Sequence, residues 1–104
     1  MNRPANKHQV IIQDDGEFYL ELNTNHPIAQ APGFLMRRCP KTKTDITVLG
    51  GFQPGEKGWN CDIKIPPDDR HGPDLQVLAT GATRISAMVT LWQYRKRAIQ
   101  RPSA

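Results

Sequence analysis

The apolar positions of this chain fall into two distinct periods. Over 59–65, Trp59, Cys61, Ile63 and Ile65 alternate with Asn60, Asp62 and Lys64. A strand puts the first set on one dry face and the second on a wet one. Phe18, Leu20 and Leu22 alternate with Glu17, Tyr19 and Glu21 in the same way. The run at 8–13 precedes them, and Asp14-Asp15-Gly16-Glu17 lies between. Asp15-Gly16 suits a two-residue type I′ turn, whose central positions both need positive φ. That register sets Ile11 opposite Leu20, on the side of Phe18 and Leu22, and sends Ile12 and Tyr19 to the other face. Further strands are predicted at 34–38 and 45–49, with Gly50-Gly51 ending or bulging the second. Prolines and glycines make 23–33 a loop and 53–58 a turn, and Pro66-Pro67 stops the strand at 59–65. The run at 75–79 fits either a short strand or the lead-in to a helix.

The second period is helical. Ile85, Met88, Val89 and Trp92 recur at i, i+3, i+4 and i+7, and Ala87, Leu91, Tyr94 and Ala98 widen the stripe. The spacing predicts one long helix within 80–99, over about 82–98, whose apolar face lies on the sheet or against a partner. The expected fold is α+β: an antiparallel sheet of four to five strands with one long C-terminal helix packed on it. At 104 residues this is a single domain, with 1–7 as a loose arm and 100–104 as a tail. A domain this small buries roughly 60–65% of its unfolded surface, which leaves no room for a deep cofactor cleft between lobes.

Charge sharpens the picture. The formal net charge is +4, and the last ten residues supply it through Arg95, Lys96, Arg97 and Arg101 with no acid among them. The remaining ten basic and ten acidic side chains cancel. A second basic cluster, Arg37, Arg38, Lys41 and Lys43, falls at a strand end and turn. If both clusters share one surface, they suit a polyanion, binding DNA or RNA by phosphate contacts with steep salt dependence. Tyr19 then offers a stacking face to a base, and Trp59, pointed inward, a poorer one. The plainer reading is a solvated patch and tail that keep the chain soluble.

Candidate chemistry is sparse. No phosphate loop, dinucleotide fingerprint or adjacent zinc-ligand pair occurs, so neither a cofactor nor an enzymatic activity is expected. A metal site would have to draw on Cys39, Cys61, His8, His26 and His71, whose spacing matches no finger or ribbon. Cys61 and Asp62 point to opposite faces of one strand, which defeats a Cys61–Asp62–His71 nucleophile. Asp68, Asp69, His71 and Asp74 read as a solvated loop, and Asp14, Asp15, Glu17 and Glu21 as turn and strand-surface groups. Two cysteines make no secreted disulfide framework, and free thiols are expected. With no apolar leader and no run long enough to span a bilayer, the expected location is cytoplasmic, without membrane insertion.

Two functions follow as expectations. The first is a small protein-interaction module (adaptor, inhibitor or assembly protein) using Met88, Trp92 and Tyr94, residue types enriched at interface centres. Its partner is another protein or a second copy, and a homodimer would bring two basic tails together. The alternative is nucleic-acid binding through Arg37, Arg38, Lys41, Lys43, Arg95, Lys96, Arg97 and Arg101, with Tyr19 stacking.

Overall fold

A computed structural model describes residues 9–23, 31–56, 58–81 and 83–99. The arm expected at 1–7, most of the loop at 23–33 and the tail from 100 lie outside the described residues, as do His8, His26 and Arg101. Six strands, β1 (Gln9–Asp14), β2 (Phe18–Asn23), β3 (Gly33–Arg38), β4 (Ile46–Gly55), β5 (Gly58–Ile65) and β6 (Asp74–Gly81), form one antiparallel sheet in sequence order. The α+β class is as expected, with one strand more than the four to five predicted. The addition is β6, which pairs with β5 from Ile65↔Asp74 to Trp59↔Gly81. Its Leu75 and Val77 stay exposed, so no core face marked the segment in advance.

β5 behaves as its alternation demands. Trp59, Cys61, Ile63 and Ile65 are buried, Asn60 and Asp62 are half-buried, and Lys64 is exposed. The same side of the sheet carries Phe18, Leu20, Leu22, Leu35 and Phe52 into one core. Three register shifts each leave one extra residue: Ile12 in β1, Leu49 in β4 and Leu78 in β6. All three pack into or against that core. Each bulge thus turns a side chain inward where strict alternation would send it out.

The first hairpin departs from its expected register. Asp15 takes no positive φ, and among residues 14–18 only Gly16 does. The Asp15 carboxylate instead accepts hydrogen bonds from the Glu17 and Phe18 amides, and the Asp15 amide donates to the Phe18 carbonyl. An aspartate that caps its own turn needs no left-handed backbone. The pairing is therefore Asp14↔Tyr19 and Gln13↔Leu20, and Ile11 meets Glu21 rather than Leu20. Ile12, expected on the far face, packs on the core, while Ile11 is half-exposed.

β4 runs through the glycine pair to Gly55 rather than ending there, and the bulge that was the pair's other expected role falls at the adjacent Leu49. Gly50 lies opposite both Leu35 and Ile63, and a Cβ on it would overlap the Asp62 carbonyl oxygen. The sheet's central strands therefore require a bare α-carbon at this crossing.

The helix α1 (Arg84–Gln93) is shorter than the 82–98 expected. Thr83 caps its start, its hydroxyl accepting from the Ser86 amide. At its end, Arg95 Nη1 donates to the Trp92 carbonyl, satisfying an acceptor that a continuing helix would use. The chain tightens at Tyr94 into a 3-10 turn, Arg95–Ala98, which buries Ala98. α1 packs chiefly on β4, β5 and β6, and the turn packs on β5 and β4.

Replacing Gly50 by Ala should cost about 1–3 kcal/mol, since backbone rather than a movable side chain opposes the new methyl. Gly72, with nothing within 4 Å of its notional Cβ, should accept Ala within about 0.5 kcal/mol. Urea denaturation of both variants checks the contrast.

Candidate interaction site

The ten residues of α1 carry two apolar rows, and only one meets the sheet. Ala87 and Leu91 are fully buried, and Met88 and Trp92 are partly buried against the core. Ile85 and Val89 are 69% and 59% exposed. The stripe at i, i+3, i+4 and i+7 is therefore real, but the helix is turned so that its Ile85–Val89 side faces away from the core. The small Ala87 takes the contact position in its place, which allows close approach of helix and sheet.

Val89, at the end of that outward row, borders a groove. A cavity of about 440 Å³ is lined by Ile12, Gln13 and Leu20 from β1 and β2 and by Met88, Val89, Trp92 and Gln93 from α1, with Arg95 beyond. The floor is the bulged Ile12 and the buried Leu20, so the register shift in β1 helps build it. Gln93 and Arg95 also line a second, shallower depression of about 280 Å³ with Tyr94, Lys96 and Arg97. Gln93 and Arg95 thus form a wall common to the apolar groove and the basic depression. The interaction residues expected from sequence fall here: Met88 and Trp92 in the groove, and Tyr94, 38% exposed, in the basic depression. Ile12, Val89 and Gln93 were not singled out. The pattern of Val89 was visible, but the bulge that delivers Ile12 has no sequence signal.

The basic clusters converge at the tip of the β1–β2 hairpin, where acids await them. Arg38 donates to both carboxylate oxygens of Asp14, at 2.8 and 3.0 Å. Arg37 Nε reaches Glu17 at 2.6 Å, and Arg95 Nε reaches Asp15 at 3.0 Å. Arg37 and Arg95 also approach one ring, Phe18, with guanidinium carbons 5.9 and 5.6 Å from its centroid. Arg95 stacks closer on Trp92, at 4.3 Å. Three arginines of the expected phosphate surface therefore meet the hairpin tip, each with a carboxylate, but Arg37 and Arg95 lie over Phe18 on one side of the sheet and Arg38 over Tyr19 on the other. Among the described residues Lys41, Lys43, Lys96 and Arg97 form no ion pair with a carboxylate; Arg97 donates to Gln76 and stacks on Tyr94. Tyr19 is 5% exposed with Arg38 over its ring at 4.2 Å, which closes that face to a stacking base. Trp59 is buried, tilted against Phe52, with Arg84 at 5.9 Å.

The other candidates resolve into structural roles. Asp68 accepts from the Arg70 and His71 amides and from the His71 ring, and the Arg70 amide leads in holding its carboxyl below the ordinary range. Asp74 accepts from the Leu75 amide. Among the described residues no group of three His, Cys, Asp or Glu side chains is placed to hold a metal ion. Cys39 and Cys61 are free thiols, the second fully buried. The Thr42 and Lys41 amides lower the Cys39 pKa, with the Thr42 hydroxyl assisting. Among the described residues no helix is long and apolar enough to cross a membrane. No family model, curated protein or solved structure matches the chain.

The hairpin pairs fix a pH dependence. Hydrogen bonding from Arg38, then from the Gly16 amide, lowers the Asp14 pKa. Burial alone would raise that of Asp15, but the Phe18 and Glu17 amides and Arg95 outweigh it. A carboxyl lowered on folding adds stability that is complete above its unfolded value, near 3.9. That stability is lost as pH falls through the folded value. Stability should therefore drop below about pH 4. The drop should be shallower in an Asp14→Asn/Asp15→Asn variant, whose amide oxygens still accept the turn hydrogen bonds. Urea midpoints from pH 2.5 to 7 measure both slopes.

Proposed function

We propose that the chain is a non-enzymatic protein-interaction module, an adaptor, inhibitor or assembly protein, whose working surface is the outward row of α1 and the groove beside it. The observation that carries this reading is the seating of α1. A helix that buries Ala87 and Leu91 while leaving Ile85 and Val89 in solvent keeps apolar area in reserve. Single exposed apolar residues are ordinary on protein surfaces, whereas an exposed pair one helical turn apart, with Val89 at the rim of a groove, supports a contact site. Met88, Trp92 and Tyr94 supply the residue types favoured at interface centres. The partner is another protein or a second copy, since the same row on two copies can meet across a two-fold axis. Free Cys39 and Cys61 suit a reducing compartment such as the cytoplasm.

The alternative, a nucleic-acid surface, draws support from the convergence of Arg37, Arg38 and Arg95 at one end of the sheet. Their pairing with Glu17, Asp14 and Asp15 weighs against it, because a phosphate must displace a carboxylate already in place. With Tyr19 buried, the stacking platform also lacks its aromatic face.

A photo-crosslinking benzoylphenylalanine in place of Val89, expressed in the cells that encode the chain, separates these readings. The protein-interaction reading expects protein adducts at position 89 that are absent when the same group replaces Asp69 on the far loop. Duplex oligonucleotide titrations should then show a log–log salt slope near zero. Nucleic-acid adducts alone, with a slope of about −4 or steeper, would mean four or more neutralised phosphates and would reverse the assignment.

A further inference from the structure

The groove ends differ in chemistry, and its long side is the first strand of the sheet. Among the described residues no strand pairs with the outer edge of β1. The groove floor and helix wall are apolar through Ile12, Leu20, Met88, Val89 and Trp92. Among the described residues no acid lines either the groove or the adjoining depression; Arg95 lines both, Lys96 lines the depression, and the Arg97 guanidinium is turned away to Gln76 of β6. Asp15 answers the charge of Arg95, and no described carboxylate answers Lys96 or Arg97. An occupant complementary to all three features has backbone hydrogen-bonding groups, alternate apolar side chains and negative charge at one end.

Resting on the protein-interaction reading, we propose that an extended peptide segment of a partner protein adds to the outer edge of β1. It lays apolar side chains into the groove against α1 and places acidic residues beside Arg95 and Lys96 at the start of the turn. Strand addition draws affinity from main-chain hydrogen bonds and specificity from pockets that take alternate side chains. β1 has six residues, so the paired stretch is short, about 20 Å at the usual strand rise. A hydrocarbon chain fits the apolar wall but cannot use the strand edge. A nucleic acid finds cations at only one end of the groove, while its phosphates repeat along the whole strand.

The test uses the full chain, immobilised, to select from a random decapeptide display library. The recovered peptides should carry apolar residues at alternating positions followed or preceded by Asp or Glu. The best of them, synthesised and labelled, is titrated against three variants at exposed positions, each checked for an unchanged melting curve. Val89→Asp should weaken binding at least tenfold by breaking the apolar wall and repelling the acidic end. Gln93→Glu should weaken it about fivefold and Gln93→Lys should strengthen it, since charges near a protein surface interact by about this much. Amide hydrogen exchange should slow in β1 when the peptide binds. An empty selection, basic peptides, or a Gln93 pair with no opposite-signed effect would overturn the proposal. Peptides insensitive to Val89→Asp that bind elsewhere would overturn it too, yet leave the protein-interaction reading standing. Oligonucleotides that compete for the site would remove both.

Discussion

The seating of a ten-residue helix on a six-stranded sheet governs the rest of this molecule. Such a helix is about 15 Å long, and six strands spaced about 4.8 Å apart span about 24 Å. The helix cannot cover the whole sheet, and it settles chiefly over β4, β5 and β6. Ala87 and Leu91 make the close contact, so the larger Ile85 and Val89 are turned to the side. Between that side and β1 the groove is left. A helix seated on its Ile85–Val89 row would bury more apolar area within the chain and leave none for a partner. The choice of Ala87 as the contact residue therefore links the packing of the core to the surface the fold presents.

The hairpin tip is the second organising feature, and it works through charge. Asp15 shapes its own turn, shifts the register of β1 against β2, and holds Arg95 from the far end of the chain. The shifted register leaves Ile12 as the bulged residue, and Ile12 floors the groove. Arg95, held by Asp15, caps the Trp92 carbonyl and lies over the Trp92 ring. Each contact is modest, since partly exposed ion pairs contribute at most about 1 kcal/mol. Together they join β1, the hairpin turn and the end of α1 around one cavity.

Much of the fold is legible in the sequence, and the exceptions have physical causes. The alternation at 59–65 places Trp59, Cys61, Ile63 and Ile65 inward because a strand with one wet face has no other way to sit. β6 escaped a firm reading because its Leu75 and Val77 face solvent, and periodicity reports burial rather than backbone pairing. The hairpin register was misjudged because Asp15-Gly16 admits two turns, and a side-chain cap decided between them. The bulge at Leu49 lies beside the Gly50-Gly51 pair that marked it, whereas those at Ile12 and Leu78 have no glycine or proline beside them. For the candidate site, Met88 and Trp92 were legible from the helical stripe, but which side of that stripe would meet the sheet depended on the tertiary contact at Ala87. The basic clusters were visible as charge, while their acids, Asp14, Asp15 and Glu17, lie some twenty to eighty residues away in sequence.

The central claim is that α1 rests on Ala87 and Leu91 and keeps Ile85 and Val89 for a partner. Methyl NMR of the isolated chain, recorded with a soluble gadolinium agent, reads this directly. The Ile85 and Val89 methyls should broaden strongly, while those of Leu91 and Ile63 stay sharp behind the sheet contact. Broadened Leu91 signals beside protected Ile85 and Val89 would mean that the helix sits on the other row, and the groove and its role would go with it.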